Sequence, residues 1–231
     1  YRARVSAARL AAHAQAHKVT LPALLLHEYA ALFAQYVGEA EATLGVVLSG
    51  RLAHVAHADA HGPCISTVPF RWTGRDLHAA HEQLAAAVAH PFVHLTDVAH
   101  ALHMDTTLFE ALFSFLPATP SVCPRGVRAV HDAMASDFPL ALQVSVDADN
   151  TLMFDVTYAP DRLVPAQVQL LVEQLEDALR ACLGEARTDL ALRSVVHETP
   201  VQPTPADAFL ARFAMHARAR PDAEAITFAT S

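Results

Sequence analysis

Cysteine is scarce. The 231 residues hold three, Cys64, Cys123 and Cys182, far apart and odd in number. That is neither a disulfide framework nor a paired metal spacing, and a reducing compartment, the cytoplasm, is the expectation. Glycine is scarce as well, at seven. The segment Gly62 to Thr67 has only one, so it is no phosphate-cradling loop. Long apolar runs are missing: Leu21 to Leu26 is cut by His27 and Glu28, well short of the roughly 18–20 residues a membrane span needs. Positive charge is short too. Sixteen Lys and Arg stand against 24 Asp and Glu, a net charge of −8, which argues against a nucleic-acid binder. The sequence opens at Tyr1 without Met or a charged-then-apolar leader, so no signal peptide is read, and it resembles a piece of something longer.

What is present is ample core material. Apolar residues make up 53%, which excludes disorder as the main state, and the length suggests one to two domains. Alanine is about a fifth of the chain, and histidine is frequent at 15. Val5 to His17 has a helical period. Thr20 is a good N-cap for a helix from Leu21 to Tyr36 that Gly38 ends. Thr43–Leu48 and Cys64–Trp72 read as strands, with Pro69 arguing for an edge or a bulge in the second. Leu52 to Gly62, Ala and His with little periodicity, reads as loop with room for a short helix. Leu77–Ala89 is a helix with Thr73 or Asp76 as cap, and Leu95–Leu102 a short helix. Phe109–Leu116 reads as a strand and Pro117 to Gly126 as loop. Pro139–Val146 and Thr151–Tyr158 form a hairpin around Asp147-Ala148-Asp149-Asn150.

Pro165 opens the clearest helix. Val168, Leu171, Val172, Leu175, Leu179 and Cys182 share a face, and Glu173, Gln174, Glu176 and Asp177 are expected outside. Gly184 stops it. Prolines 200, 203 and 205 mark an interdomain linker, then Ala208–Ala219 reads as a helix and Ala225–Phe228 as a strand. The order helix, helix, strand, strand, helix, three strands, helix implies an α/β layered domain over about 1–183.

Candidate chemistry is thin. His54, His57 and His61, or His78 and His81, have metal-like spacing only on a helix, and no HExxH or Cys/His cluster accompanies them; a biased composition explains them as well. Ser49 lacks the leading glycine of a nucleophile elbow. Asp147 and Asp149 lack the downstream Glu of a calcium loop. Arg51 and Arg71 each follow an apolar strand. Each is either an ordinary surface arginine or a fixed guanidinium that clamps a carboxylate.

Several segments together resemble one family. Gly45-Val46-Val47-Leu48-Ser49-Gly50-Arg51 is similar to the G-x-x-x-S-G-R strand of nonribosomal peptide synthetase condensation domains. His61 to Arg71 resembles their I-G-x-F-x-N-T-x-P-x-R motif, with Ser66 where the pattern has Asn. Leu108-Phe109-Glu110-Ala111-Leu112-Phe113 resembles the LFDTLF strand of fungal members. Phe138-Pro139-Leu140 and its hairpin, then Tyr158 ahead of the Pro165 helix, fit the family's closing order. The tail, with Ala219-Arg220-Pro221-Asp222-Ala223, resembles the F-x-x-x-A-x-x-x-P-D-A-x-A opening of an adenylation domain.

The resemblance implies a chloramphenicol-acetyltransferase-like α/β lobe, a mixed sheet with flanking helices. It divides the chain into the C-terminal lobe of a condensation domain at 1–183, a linker at 184–206 and the start of an adenylation domain at 207–231. It implies peptide-bond formation between aminoacyl or peptidyl thioesters carried on phosphopantetheine arms, which are substrates, with no cofactor bound directly. The family's catalytic His-His-x-x-x-Asp-Gly is absent from these residues, so no catalytic residue is expected here and the piece is expected to be inactive alone. By analogy with related acyltransferases Arg51 forms the interlobe salt bridge, and Ser49, Ser66 and Thr67 line the substrate tunnel. Partners would be the missing N-terminal lobe, peptidyl carrier domains and the downstream adenylation domain. The alternatives are a non-catalytic carrier-docking lobe, an epimerisation domain or a standalone acyltransferase of the same superfamily. The LFEALF strand hints at a fungal siderophore or peptide synthetase.

Overall fold

The computed structural model describes residues 1–49, 64–74, 76–92, 94–103, 108–117, 137–185 and Arg218. The chain divides into two units, Tyr1–Val195 and Val196–Ser231, and every element below lies in the first. The expected loops at Leu52–Gly62 and after Pro117, the linker beyond Glu185 and the two elements after residue 207 lie outside the described residues.

In chain order the elements are β1 (Arg2–Ser6), α1 (Ala7–Ala16), α2 (Leu21–Val37), β2 (Ala42–Ser49), β3 (Ile65–Trp72) and α3 (Leu77–Ala89). Then follow α4 (Leu95–Ala101), β4 (Ala111–Leu116), β5 (Leu140–Val146), β6 (Thr151–Tyr158) and α5 (Pro165–Cys182). One six-stranded sheet runs in the order β1-β6-β5-β4-β2-β3. The central strands β2, β4 and β5 are parallel, and the outer pairs are antiparallel. This is a mixed α/β sheet with flanking helices, as expected.

Every strand alternates. Leu44, Val46 and Leu48, Val68 and Phe70, Ala111 and Phe113, Leu140, Leu142 and Val144, Leu152 and Phe154 all turn to one face, where they join Leu10, Leu24, Leu25, Tyr29, Leu171 and Leu175 of the helices in one core. Each large side chain fully withdrawn from water contributes about 1.5–3 kcal/mol. Helix α2 sits centrally, touching α1, α3, α5, β2 and β3, so it is apolar nearly all round. Gly38 closes it at φ 72° with Glu39 N–H bonded to Ala34 O at 3.0 Å. Thr20 occupies the N-cap position, but its side chain makes no capping bond. Asp76 does cap α3, accepting from Ala79 N at 3.0 Å.

At each edge of the sheet a helix side chain meets the backbone of one residue. With its amide turned to satisfy both groups, Gln83 of α3 donates to Arg71 O at 2.8 Å and accepts from Arg71 N at 3.1 Å. The backbone groups of Arg71 therefore point away from β2, and so does the position of Pro69 two residues earlier. The missing N–H of Pro69 costs the ladder nothing, and β3 is the edge strand the proline suggested. At the other edge Glu176 of α5 accepts from Arg4 N–H at 2.8 Å and from the Tyr1 hydroxyl at 2.7 Å. Burial first, then the bond to Glu176, pushes the Tyr1 hydroxyl up to about 12.

Two expectations are corrected. The helix read from Val5 starts at Ala7, because Arg2–Ser6 is a strand with Ala3 and Val5 buried. Its partner β6 lies about 150 residues away, so five residues of alternation were absorbed into the alanine-rich helix that follows. Gln174, Glu176 and Asp177 do not face out: they are buried. Strand β1 and α2 cover that side of α5, and Gln174 accepts from the Tyr36 hydroxyl at 2.6 Å. Glu173 is half-buried and bonded to Gln169 at 2.9 Å.

Replacing Glu176 with Leu strands two donors, and we expect a loss of about 1–3 kcal/mol in urea unfolding, with Glu176→Gln losing less. A second prediction concerns pH. Trp72, the chain's only tryptophan, donates from its indole to His27 Nδ1 at 3.2 Å. Burial pushes His27 below its ordinary value, against the pull of Glu28 and Asp76. The unfolded chain therefore holds the proton more tightly, and stability falls as pH drops from about 6.5 through the folded value. Trp72 emission should fall with a midpoint below about 6.5, and His27→Gln should remove the step.

Candidate functional site

The second face of the sheet has a different composition. Opposite the core-facing residues lie Thr43, Gly45, Val47 and Ser49 of β2, Ile65, Thr67, Pro69 and Arg71 of β3, and Leu112, Ser114 and Leu116 of β4. Strands β5 and β6 add Gln143, Ser145, Met153 and Asp155. The core is shared with helices on the other side, and none of the strand residues named here belongs to it.

Register sets the geometry of this face. Val47 pairs with Thr67 on one side and Ser114 on the other, Ser114 with Gln143, and Gln143 with Asp155. Thr67, Val47, Ser114, Gln143 and Asp155 thus form one line across five strands. Ser49 and Ser145 lie one side-chain step further along. Thr67, Ser114, Gln143 and Ser145 are half-buried, and among the described residues no hydrogen bond engages their side chains or that of Ser49. The cluster sits toward the carboxyl ends of the parallel strands β2, β4 and β5, the end where open α/β sheets place ligands.

The other end of the face is plugged. A Cβ on Gly45 would overlap the Phe109 ring and the Leu112 side chain. Phe109 therefore lies on the bare backbone of β2, buried to 5% exposure and stacked on Phe138 with ring centroids 5.4 Å apart. That explains why β4 begins at Ala111 and not at Phe109.

The sequence-derived site residues divide. Ser49 and Thr67 share the face opposite the core. Ser66 turns to the opposite face, where its hydroxyl donates to Pro91 O, so it does not converge with them. Arg51, like His54, His57 and His61, lies outside the described residues. Arg71 pairs with nearby Glu41 at 2.6 Å, both well exposed, a contact that contributes little. Asp147 bonds the Asp149 and Thr151 N–H groups, as a hairpin turn requires. Among the described residues no three His, Cys, Asp or Glu side chains gather as a metal site, and no helix is long and apolar enough to cross a membrane. An apolar groove of about 290 Å³ between α2 and α5 lies on the helix side and offers no comparable polar row.

Ser114, Gln143 and Ser145 were missed in the sequence. Their signal is a small polar residue between buried apolar ones, as in Phe113-Ser114-Phe115 and Leu142-Gln143-Val144-Ser145. A strand reading that stops at "apolar and aromatic" passes over it.

The fold is that of a condensation domain, with the chloramphenicol-acetyltransferase-like architecture. The condensation domain of the monacolin K polyketide synthase superposes with a TM-score of 0.66 at 17% identity, over 78% of this chain and 45% of that one. The homologues are fungal nonribosomal peptide synthetases. The ferrichrome siderophore peptide synthetase of Mycosarcoma maydis is 36% identical over 94% of the chain, and the nonribosomal peptide synthetase sidC of Aspergillus fumigatus 28% over 81%. The chain spans only 6% and 4% of the length of these two relatives. No family model matches the chain.

Gly45→Ala should lower stability by about 1–3 kcal/mol through overpacking, measured by denaturant midpoint. Adding Phe109→Ala should make the pair less damaging than the sum of the single changes, because the two sites share one contact.

Proposed function

We propose that residues 1–183 are the C-terminal lobe of a condensation domain within a fungal nonribosomal peptide synthetase. Residues 184–206 are its linker and 207–231 the start of an adenylation domain. The observation that carries this reading is the match over 94% of the chain to a siderophore peptide synthetase, together with a fold shared with condensation domains over less than half their length. The product is a siderophore-type peptide, made in the cytoplasm.

The reaction joins two substrates held as thioesters on the phosphopantetheine arms of carrier domains. The acceptor amine attacks the donor thioester carbonyl, an amide forms, and the donor arm leaves as the thiol after taking a proton. A histidine of the N-terminal lobe, outside these residues, receives the amine proton. Holding both arms in line can supply about 7–11 kcal/mol of the barrier, and this lobe shares that work with the N-terminal lobe. The sheet face opposite the core forms one wall of the chamber, with Ser49 and Thr67 on it. Ser66 anchors the Pro91 segment beside that wall. Arg51 pairs with the motif aspartate of the other lobe and holds the two in register.

The test compares residues 1–231 with the parent module, each given donor and acceptor loaded on carrier domains. The piece alone should form no amide, and the module should form it and lose it when the motif histidine is replaced. A module that captures loaded carriers but makes no amide would instead support the docking-lobe reading.

A further inference from the structure

We propose that His13 and His17, at the end of α1, form a two-histidine site for a divalent cation of the late first row, with Zn2+ and Cu2+ as the ions that fit. The pair belongs neither to the sheet face described above nor to the groove between α2 and α5. It stands whether or not the condensation reading does. The string His13-Ala14-Gln15-Ala16-His17 sets the two rings at i and i+4, one turn apart on the same side of the helix. Ala14 between them is buried in the core, so the helix is held against the lobe while His13 is half-buried and His17 exposed.

The rings are already together. Their centroids are 4.3 Å apart and their planes are tilted by 38°. Two Zn–N bonds of about 2.0–2.1 Å at a tetrahedral angle hold their nitrogens about 3.3 Å apart, so rings this close need little movement to meet one ion. The tautomer of His17 is settled as well. Its Nδ1 lies 2.9 Å from the His13 carbonyl oxygen. A carbonyl only accepts, so Nδ1 carries the hydrogen and the neutral ring keeps its lone pair on Nε2. Metal-bound histidines are oriented in this way, with the second nitrogen donating to a carbonyl or carboxylate. Among the described residues no hydrogen bond engages the His13 ring, which leaves it a nitrogen to offer.

The backbone beneath the pair is pinned. Lys18 N–H bonds to Gln15 O at 2.9 Å and Val19 N–H to Ala14 O at 3.0 Å, with Lys18 left-handed at φ 58° and Val19 buried. This double closure fixes His17 relative to His13 before any ion arrives. Arg9, one turn earlier, is paired with Glu185 at 2.6 Å, so its charge is countered. Imidazole nitrogen selects the ion. It suits Zn2+ and Cu2+, with Cu2+ the tighter, whereas Mg2+ and Ca2+ take oxygen ligands. Two protein ligands leave the remaining positions to water, so the ion exchanges and is not a closed structural centre. Once bound, it ties the last turn of α1 together at the point where the chain turns into α2.

The experiment titrates the full chain, freed of metal, with Zn2+, Cu2+ and Mg2+ by calorimetry at neutral pH. The variants are His13→Gln, His17→Gln and a rearranged chain carrying Gln15→His with His17→Ala. The rearranged chain keeps all 15 histidines but sets the rings at i and i+2, on different sides of the helix. The wild type should show one Zn2+ site and one Cu2+ site that all three variants lose, and Mg2+ should not compete for either. Copper bound at that site should show couplings to two imidazole nitrogens in electron paramagnetic resonance. Zn2+ should raise Tm less in the variants than in the wild type, since an ion that binds only the folded chain stabilises it. Circular dichroism identifies a variant that fails to fold, and the other glutamine variant then carries the comparison. Identical titrations for the wild type and the glutamine variants overturn the proposal. So does a rearranged chain that binds like the wild type, because histidine content and not spacing would then explain the binding.

Discussion

The period-two alternation of six strands, held in one register, is the constraint on which the rest of this structure depends. A slip of one residue in any strand would move its core residues to the opposite face and its polar residues into the core. Because Val46, Phe113, Leu142 and Phe154 must stay under the helices, Val47, Ser114, Gln143 and Asp155 are fixed in a line on the other side. The packing of the core thus sets the order of residues along the polar face.

Helix α2 is the second consequence of that arrangement. It lies over the sheet between α3 and α5 and reaches both β2 and β3. Its apolar residues do not form a narrow stripe, since neighbours surround it. The buried acceptors of α5 follow the same logic. Gln174 and Glu176 are withdrawn from water only because Tyr36, Tyr1 and Arg4 supply donors within 2.8 Å.

Most elements were legible where the signal was local. The hairpin at Asp147–Asn150 declares itself by turn residues, Gly38 by its position after an apolar helix, and Pro69 by what an edge strand tolerates. What escaped depended on distant partners. β1 is five residues long, and only β6 makes it a strand. The polar face of α5 looked exposed because an amphipathic pattern cannot show that β1 will pack against it. The candidate site was half legible: Ser49 and Thr67 stood in recognisable strings, but Ser114 and Gln143 stand in none. Ser66 stands beside Thr67 in the same string, yet neighbouring residues of a strand point to opposite faces.

The capped edges have a consequence for assembly. A six-stranded sheet with bare ends invites another strand to join it, and in a very long polypeptide the local concentration of other strands is high while the chain is being synthesised. Gln83 occupies both backbone groups of Arg71, and Glu176 occupies the N–H of Arg4. Both caps are side chains of the lobe's own helices, so these edge positions become insulated as soon as the lobe closes on itself. A lobe built this way can fold during translation beside its neighbours without borrowing a strand from them.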